Sequence, residues 1–156
     1  GGISSITMSG NGSLLPSWSK SSVSLMDSNW SCNNNCKSGQ SSFNISNSEL
    51  TAQTWGNYGA SWYVHFSRNV NMSEFNNLSM TISATLFDRG SIRVYIDGNV
   101  IYSVQNNNIS KNTITQNISS YSGIHTITIK FEQSNSGHSS GSTANFMSVS
   151  DIILTN

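Results

Sequence analysis

Residues 78–87, LSMTISATLF, alternate between apolar and hydroxyl-bearing side chains. In an extended chain successive side chains point to opposite faces, so this alternation makes one face apolar and the other polar. The stretch therefore predicts a β-strand with one buried face. The buried face would consist of Leu78, Met80, Ile82, Ala84 and Leu86.

The same period of two recurs along the chain and predicts about eight to ten short strands. The chain contains 15 Ile and few strong helix formers, a composition that favours strands. No convincing helix and no internal repeat stands out. We therefore expect an all-β fold, an antiparallel β-sandwich of the jelly-roll type. The clearest further strands are residues 62–66, 92–96, 100–104, 125–131 and 146–155.

Two of these strands flank Asp97 and Gly98, and this turn signal predicts a β-hairpin. A two-residue loop would pair Val94 with Ile101. A three-residue loop that includes Asn99 would align the apolar faces better, and the sequence leaves both registers open.

Hydroxyl and amide side chains dominate the composition. The 156 residues include 34 Ser, 21 Asn and 11 Thr, whereas only 9% are charged and the formal net charge is zero. A chain without a basic surplus lacks the field that non-specific nucleic-acid binding requires, and no apolar run reaches the ~18 residues of a membrane span. We expect no nucleic-acid partner and no membrane span, and an extracellular or cell-surface location.

Cys32 and Cys36 enclose three asparagines. A pair this close can form a local disulfide in an oxidising compartment, and a single C-x3-C pair lacks the second ligand pair of a zinc site. We expect the disulfide, with metal binding or free thiols as the alternatives.

No catalytic residue is assigned, and we expect the chain not to be an enzyme. Residues 137–141, GHSSG, match the G-x-S-x-G motif of α/β-hydrolases, but no buried strand precedes the match and no His follows it. By alternation His125 faces the same way as Ile127, which predicts a core histidine. No cofactor is expected, although loop carboxylates and carbonyls leave room for a structural Ca²⁺.

Aromatic residues cluster between positions 55 and 63, beside glycines and an asparagine. Flat rings next to amides and hydroxyls suit the stacking of sugar rings. The alternative is that Trp62 alternates with Val64 into the core and Trp55 merely ends a strand. The hairpin offers a second polar and aromatic face. The candidate glycan contacts are Trp55, Tyr58, Trp62, Tyr63, Arg93 and Tyr95.

Seven N-x-S sequons are candidate N-glycosylation sites. A chain with this many Asn, Ser and Thr residues would contain roughly six by chance, so the number alone is not informative. The low-charge, hydroxyl-rich composition is the stronger argument for a glycoprotein. The sequon asparagines are Asn11, Asn29, Asn44, Asn71, Asn77, Asn108 and Asn117.

Four segments resemble the galactose-binding-like jelly rolls that include many carbohydrate-binding modules. They are residues 61–80 (SWYVHFSRNVNMSEFNNLSM), 92–102 (IRVYIDGNVIY), 122–131 (SGIHTITIKF) and 149–155 (VSDIILT). In that family such segments form an early core strand, a hairpin, a G-x-H-x-I strand and the terminal strand. The resemblance implies the fold more firmly than sugar binding, because the chain shows no alignable acidic calcium cluster and no fixed ligand triad.

The N-terminal residues suggest an assembly function. Residues 3–8, ISSITM, form a short extended segment without an obvious hairpin partner, so we divide the chain into a candidate donor strand at 1–15 and a β-sandwich domain at 16–156. A spare strand can pair with a sheet edge of another copy, and head-to-tail repetition produces a filament. Ile3, Ile6 and Met8 are the candidate assembly residues.

Two functions are therefore expected. The first is a non-enzymatic extracellular glycoprotein that builds a pilus-like surface filament by strand exchange, with copies of itself as partners. The alternative is a carbohydrate-binding module of a secreted enzyme or adhesin, with cell-surface glycans as partners.

Overall fold

The structure, a computed structural model, describes residues 3–8, 14–18, 22–55, 61–86, 89–134 and 144–156. These residues form β-strands joined by turns, and they include no helix that is long and apolar enough to cross a membrane. The strands are β1 (Ile3–Met8), β2 (Leu14–Trp18), β3 (Ser22–Ser24), β4 (Lys37–Ser38), β5 (Ser41–Ile45), β6 (Glu49–Trp55), β7 (Trp62–Asn71), β8 (Asn77–Thr85), β9 (Gly90–Ile96), β10 (Asn99–Gln105), β11 (Ile109–Asn117), β12 (Ile124–Gln133) and β13 (Ala144–Thr155).

Eleven of these strands form two antiparallel sheets. The five-stranded sheet has the order β10-β9-β12-β7-β4. The six-stranded sheet has the order β11-β8-β13-β6-β5, and β3 also pairs with β13. The predicted all-β sandwich is confirmed.

The core lies between the two sheets and is built by alternation. In β8 the predicted apolar face is buried, from Leu78 to Ala84, while the intervening Ser and Thr side chains face outward. β12 contributes the buried Ile127, Ile129 and Phe131 to the opposite wall of the core. Burial of such side chains contributes roughly 1.5–3 kcal/mol each before conformational entropy is subtracted. Other fully buried residues are Leu50, Phe66, Met72, Ile82, Ile92 and Ile96.

The hairpin between β9 and β10 combines the two registers that the sequence left open. Ile96 pairs with Asn99 across a two-residue turn, in which Asp97 and Gly98 have φ values of 50° and 82°. Positive φ at both positions is the requirement of a type I′ turn. The register then shifts by one residue between Val100 and Tyr102, so that Val94 pairs with Tyr102 rather than Ile101. This β-bulge restores the alignment of the apolar faces.

Strand β11 lies between the predicted strands 100–104 and 125–131, where the sequence pattern predicts no strand. It pairs with β8 at an edge of the six-stranded sheet, and most of its side chains are exposed. An edge strand with both faces largely in water needs no apolar alternation, so the periodicity that revealed the other strands is absent.

The N-terminal segment is not the unpaired strand that we expected. β1 pairs antiparallel with β2, with Met8 opposite Leu14 and Thr7 opposite Leu15. β1 therefore has a strand partner within the chain, which the expected donor strand lacked. The pairing also crosses the expected division after residue 15, and no observation tests the roles of Ile3, Ile6 and Met8 in assembly.

The disulfide prediction is confirmed, because Cys32 and Cys36 are joined and their Cα atoms lie 5.2 Å apart. The segment before it is fastened to β7. Trp30 is 3% exposed, and its indole N–H donates to the carbonyl of Leu25 (2.7 Å). Arg68 of β7 donates to Asp27 and to the same carbonyl of Leu25 (3.1 Å).

The Arg68 guanidinium, by its hydrogen bond to Asp27, holds the pKa of that carboxyl below its usual value. Asp27 is therefore ionised at neutral pH and neutralises the charge of Arg68.

Trp62 packs on Gly39 just after the short strand β4. A Cβ atom at Gly39 would lie 1.4 Å from Cζ3 of Trp62, and Gly39 has a φ of 54°. Gly123 has a similar φ of 78°, but nothing lies within 4 Å of a Cβ placed there. The two glycines thus share the backbone conformation that favours glycine and differ in the space around them.

We predict that Gly39→Ala destabilises the protein more than Gly123→Ala. The positive φ should cost about 1–2 kcal/mol at each position, and the collision with Trp62 should add about 1–3 kcal/mol at position 39 alone. Urea unfolding of the two variants measures the difference. Equal destabilisation would contradict the contact with Trp62.

His125 lies at the half-buried end of β12, with partners on several sides, rather than in the core as predicted. Its Nδ1 lies 2.5 Å from an Asp97 carboxylate oxygen, its Nε2 lies 2.8 Å from the carbonyl of Ser122, and Tyr121 meets the ring edge-on. The hydrogen bond to Asp97, followed by that to Ser122, raises the pKa of His125 above its ordinary 6.5. The pKa of Asp97 is lowered, first by the backbone N–H of Thr126 and then by His125.

We predict that His125→Gln removes part of the pH dependence of folding stability. A raised pKa in the folded state stabilises the fold below pH 6.5 and loses this effect as the pH rises through the folded pKa. Wild-type protein should therefore lose stability on the alkaline side of pH 6.5, and His125→Gln should lose less. Thermal midpoints across a pH series test this, and superimposable pH profiles would rule it out.

Candidate functional site

The outer surface of the five-stranded sheet carries a group of charged and aromatic side chains. On β7, β12 and β9 the inward positions are buried, so the alternate positions face outward. We call this group the polar–aromatic face. It consists of Tyr63 and His65 on β7, Lys130 and Glu132 on β12, and Arg93 and Tyr95 on β9.

Strand register brings these residues together. Lys130 of the central strand pairs with His65 on one side and with Arg93 on the other. Two residues further along β12, Glu132 pairs with Tyr63. Residues paired on one face of an antiparallel sheet have Cβ atoms about 4.5–5.5 Å apart, so their side chains interact.

Glu132 contacts two other residues of this face. One carboxylate oxygen lies 3.2 Å from Nε2 of His65, and the other lies 3.8 Å from a guanidinium nitrogen of Arg93. Arg93 also donates to the hydroxyl of Ser91 (3.1 Å). These contacts hold the side chains of His65, Arg93 and Glu132 in one arrangement.

The two tyrosines stand at opposite corners of the face. The ring of Tyr63 stacks on that of His65, with ring centres 4.5 Å apart and planes inclined by 23°. The ammonium of Lys130 lies 4.9 Å from the centre of the Tyr95 ring, a cation–π contact. Each tyrosine therefore has a cationic or ionisable partner that fixes its ring.

The hydrogen bond from His65 is the main reason that the pKa of Glu132 is lowered from its ordinary 4.5. Partial burial of the carboxyl opposes this effect, and the charges of Lys130 and Arg93 add to it. Glu132 is therefore an anionic hydrogen-bond acceptor at neutral pH.

The fold places the predicted glycan contacts on different surfaces of the protein. Tyr63, Arg93 and Tyr95 lie together on the polar–aromatic face. Trp62 alternates with these outward residues, so it lies on the opposite face of β7, where it packs on Gly39. Trp55 is the last residue of β6. It lies on the outward face of the six-stranded sheet, as do the alternate residues of β6. Tyr58 lies outside the described residues.

Sequence reasoning missed His65, Lys130 and Glu132. Each occupies an outward position of a strand that was recognised, and each was treated only as the polar half of an alternating pattern. Their outward direction was available from the alternation. Their proximity was not, because it depends on β12 lying between β7 and β9.

The structure describes six of the seven sequon asparagines, and Asn11 lies outside the described residues. Asn77 is half-buried, and the other five, Asn29, Asn44, Asn71, Asn108 and Asn117, are exposed. None of the six belongs to the polar–aromatic face. Occupancy of these sites by glycans stays a prediction.

The sequence also suggested a structural Ca²⁺ and contained one match to a hydrolase motif. No group of three or more His, Cys, Asp or Glu side chains is placed there to hold a metal ion, and the suggestion of a structural Ca²⁺ is not tested. The GHSSG match at 137–141 lies outside the described residues.

Comparison with known proteins identifies the fold. No protein-family model and no curated protein matches the chain. Among solved structures, it is similar to a family 61 carbohydrate-binding module in complex with β-1,4-galactotriose, with 14% identity and a TM-score of 0.53 over 83% of this chain and 90% of that one.

It is also similar to the family 11 carbohydrate-binding module of a cellulosomal cellulase of Clostridium thermocellum. The identity is 13% and the TM-score 0.50, over 89% of this chain and 96% of that one. The expected resemblance to the β-sandwiches of carbohydrate-binding modules is confirmed at the level of the fold.

We predict that His65→Leu, which removes the hydrogen-bond donor, raises the pKa of Glu132 toward 4.5 and does so more strongly than Lys130→Gln. His65 donates a hydrogen bond to the carboxylate, whereas Lys130 acts on it only through its charge. A ¹³C NMR titration of the Glu132 carboxyl measures both variants. An equal or larger rise in Lys130→Gln would contradict this ranking.

Proposed function

We propose that this chain is a non-catalytic carbohydrate-binding module and that it binds glycans on the polar–aromatic face. The observation that carries the proposal is the grouping of two tyrosines with Arg93, Lys130 and Glu132 on one face of a rigid sheet. The likeness of the whole fold to two carbohydrate-binding modules supports it.

The chemistry of the face matches that of a sugar. A pyranose ring presents C–H groups on its flat surface and hydroxyl groups around its rim. Tyr63 and Tyr95 offer aromatic surface to the C–H groups. Around them, Glu132 accepts hydrogen bonds from hydroxyls, and Arg93 and Lys130 donate to them.

The face is also pre-organised. His65 and Arg93 both contact Glu132, and Lys130 is held over Tyr95. Side chains that are already ordered lose little conformational entropy when a ligand binds, and this favours affinity.

Strand-exchange assembly has no comparable support. The strand that would be donated, β1, is paired with β2. An extracellular or cell-surface location and glycosylation of the sequons other than Asn29, which lines a cleft beside the polar–aromatic face, are part of the present proposal. They suit a glycan-binding module with a disulfide and a low-charge surface.

We predict that Tyr95→Ala and Tyr63→Ala each lower glycan affinity about tenfold or more, the loss expected when a ring that stacks on the ligand is removed. Trp55→Ala is the matched control, because this ring lies on the other sheet and its removal should leave affinity unchanged.

Isothermal titration calorimetry with β-1,4-linked oligosaccharides of galactose, glucose and mannose measures these affinities. β-1,4-Galactotriose is the first choice, because it is the ligand of the similar family 61 module. Loss of binding in Trp55→Ala, with both tyrosine variants unaffected, would move the site to the six-stranded sheet and refute the proposal.

A further inference from the structure

A polar cleft lies beside the polar–aromatic face, between β7 and the loop closed by the disulfide. Its volume is about 340 Å³. Amide and hydroxyl groups form most of its surface, and the lining residues are Asn29, Ser31, Asn33, Ser67, Arg68 and Asn69.

Backbone hydrogen bonds fix the outer wall of the cleft. Ser31 and Ser67 each donate to the other's carbonyl at 3.0 Å, so Ser31 extends the five-stranded sheet beyond β7. The backbone N–H of His65 donates to the carbonyl of Cys36 (2.6 Å). Between these two attachments the chain leaves the sheet, and the disulfide closes the resulting loop.

A backbone hydrogen bond holds this loop, and the side-chain amides of Asn33 and Asn34 take no part in it. The N–H of Cys36 donates to the carbonyl of Asn33 (2.9 Å), which makes the loop a tight turn. Asn33 and Asn34 are both exposed, and neither side chain hydrogen-bonds to another described residue. Asn33 lines both the cleft and a wider depression next to Phe43, whereas Asn34 lines the wider depression and not the cleft.

The cleft is close to electrically neutral. Its charged lining residue, Arg68, is only 10% exposed and is paired with Asp27. The remaining lining groups are uncharged donors and acceptors, which match the hydroxyl groups of a neutral sugar better than a carboxylate or sulfate.

The cleft continues the polar–aromatic face across the strands. Ser31 pairs with Ser67, Ser67 with Thr128, and Thr128 with Tyr95, so these four positions lie in one row. Three strand spacings separate the ends of the row, about 14 Å. A single sugar ring on Tyr95 does not reach the cleft, whereas a short oligosaccharide does.

We propose that the cleft is a second subsite and that the ligand is an uncharged oligosaccharide lying across the strands from Tyr95 to Asn33. This inference rests on the proposed function, because it assumes that Tyr95 holds one end of the glycan. The disulfide is then a positioning element. It keeps Asn33 over the cleft and removes the entropy cost of ordering the loop on binding.

The test compares Asn33→Ala with Asn34→Ala. The probes are neutral β-1,4-linked trisaccharides and tetrasaccharides of galactose, glucose and mannose and the matching monosaccharides. Loss of one or two ligand hydrogen bonds should lower oligosaccharide affinity about five- to tenfold in Asn33→Ala. Asn34→Ala should bind like the wild type, and monosaccharide binding, measured by NMR titration, should be the same in all three proteins.

A double variant, Cys32→Ala with Cys36→Ala, tests the positioning role. It should unfold cooperatively, bind monosaccharides like the wild type and bind the oligosaccharides more weakly. Equal effects of Asn33→Ala and Asn34→Ala, with Tyr95 still required, would overturn the second subsite and leave the proposed function intact. Absence of binding of every probe to the wild type would overturn both.

Discussion

Strand β12 is hydrogen-bonded to β7 on one side and to β9 on the other, and the rest of the five-stranded sheet depends on this double pairing. Its inward residues, Ile127, Ile129 and Phe131, are fully buried, and its outward Lys130 and Glu132 form the centre of the polar–aromatic face. A shift of one residue would exchange the two sets. The shift would bury the charges of Lys130 and Glu132, and burying unpaired charges costs far more free energy than a hydrogen-bonded strand gains. The packing of the core therefore also fixes which face of the sheet carries these two side chains.

The outer surfaces of the two sheets differ in the types of side chain that they carry. Hydroxyl groups dominate the six-stranded sheet, where Thr81 and Thr113 hydrogen-bond to each other across β8 and β11 (3.0 Å). On the same surface Ser148 donates to Glu49 (2.7 Å). Such groups are satisfied by water and by each other. On the outer surface of the five-stranded sheet, opposite charges lie beside the rings of Tyr63 and Tyr95.

Several features of the fold could be predicted because they depend on near neighbours in the chain. The strands β7, β8, β9 and β12 follow from alternation, the β9–β10 turn follows from Asp97 and Gly98, and the disulfide follows from the spacing of two cysteines. The expected isolation of residues 3–8 was wrong because β2, which contains Pro16, gave no strand signal. Strand β11 was missed because an exposed edge strand has no apolar period.

The candidate site was only partly accessible to the same reasoning. Tyr63, Arg93 and Tyr95 stood out by residue type, but Trp62 did too, and only the close contact with Gly39 shows that it faces inward. His65 and Glu132 became recognisable as functional candidates only when their contact was visible.

In the strands that show alternation, the sequence by itself determined which residues face the core, since alternation is a local property of an extended chain. Only the tertiary structure decided which strands are neighbours. His65, Arg93 and Lys130 lie in one row because β12 pairs between two strands that come earlier in the chain. A period of two is identical for every possible partner strand, so strand order is decided by how the apolar faces pack and by which backbone hydrogen bonds the connecting loops allow.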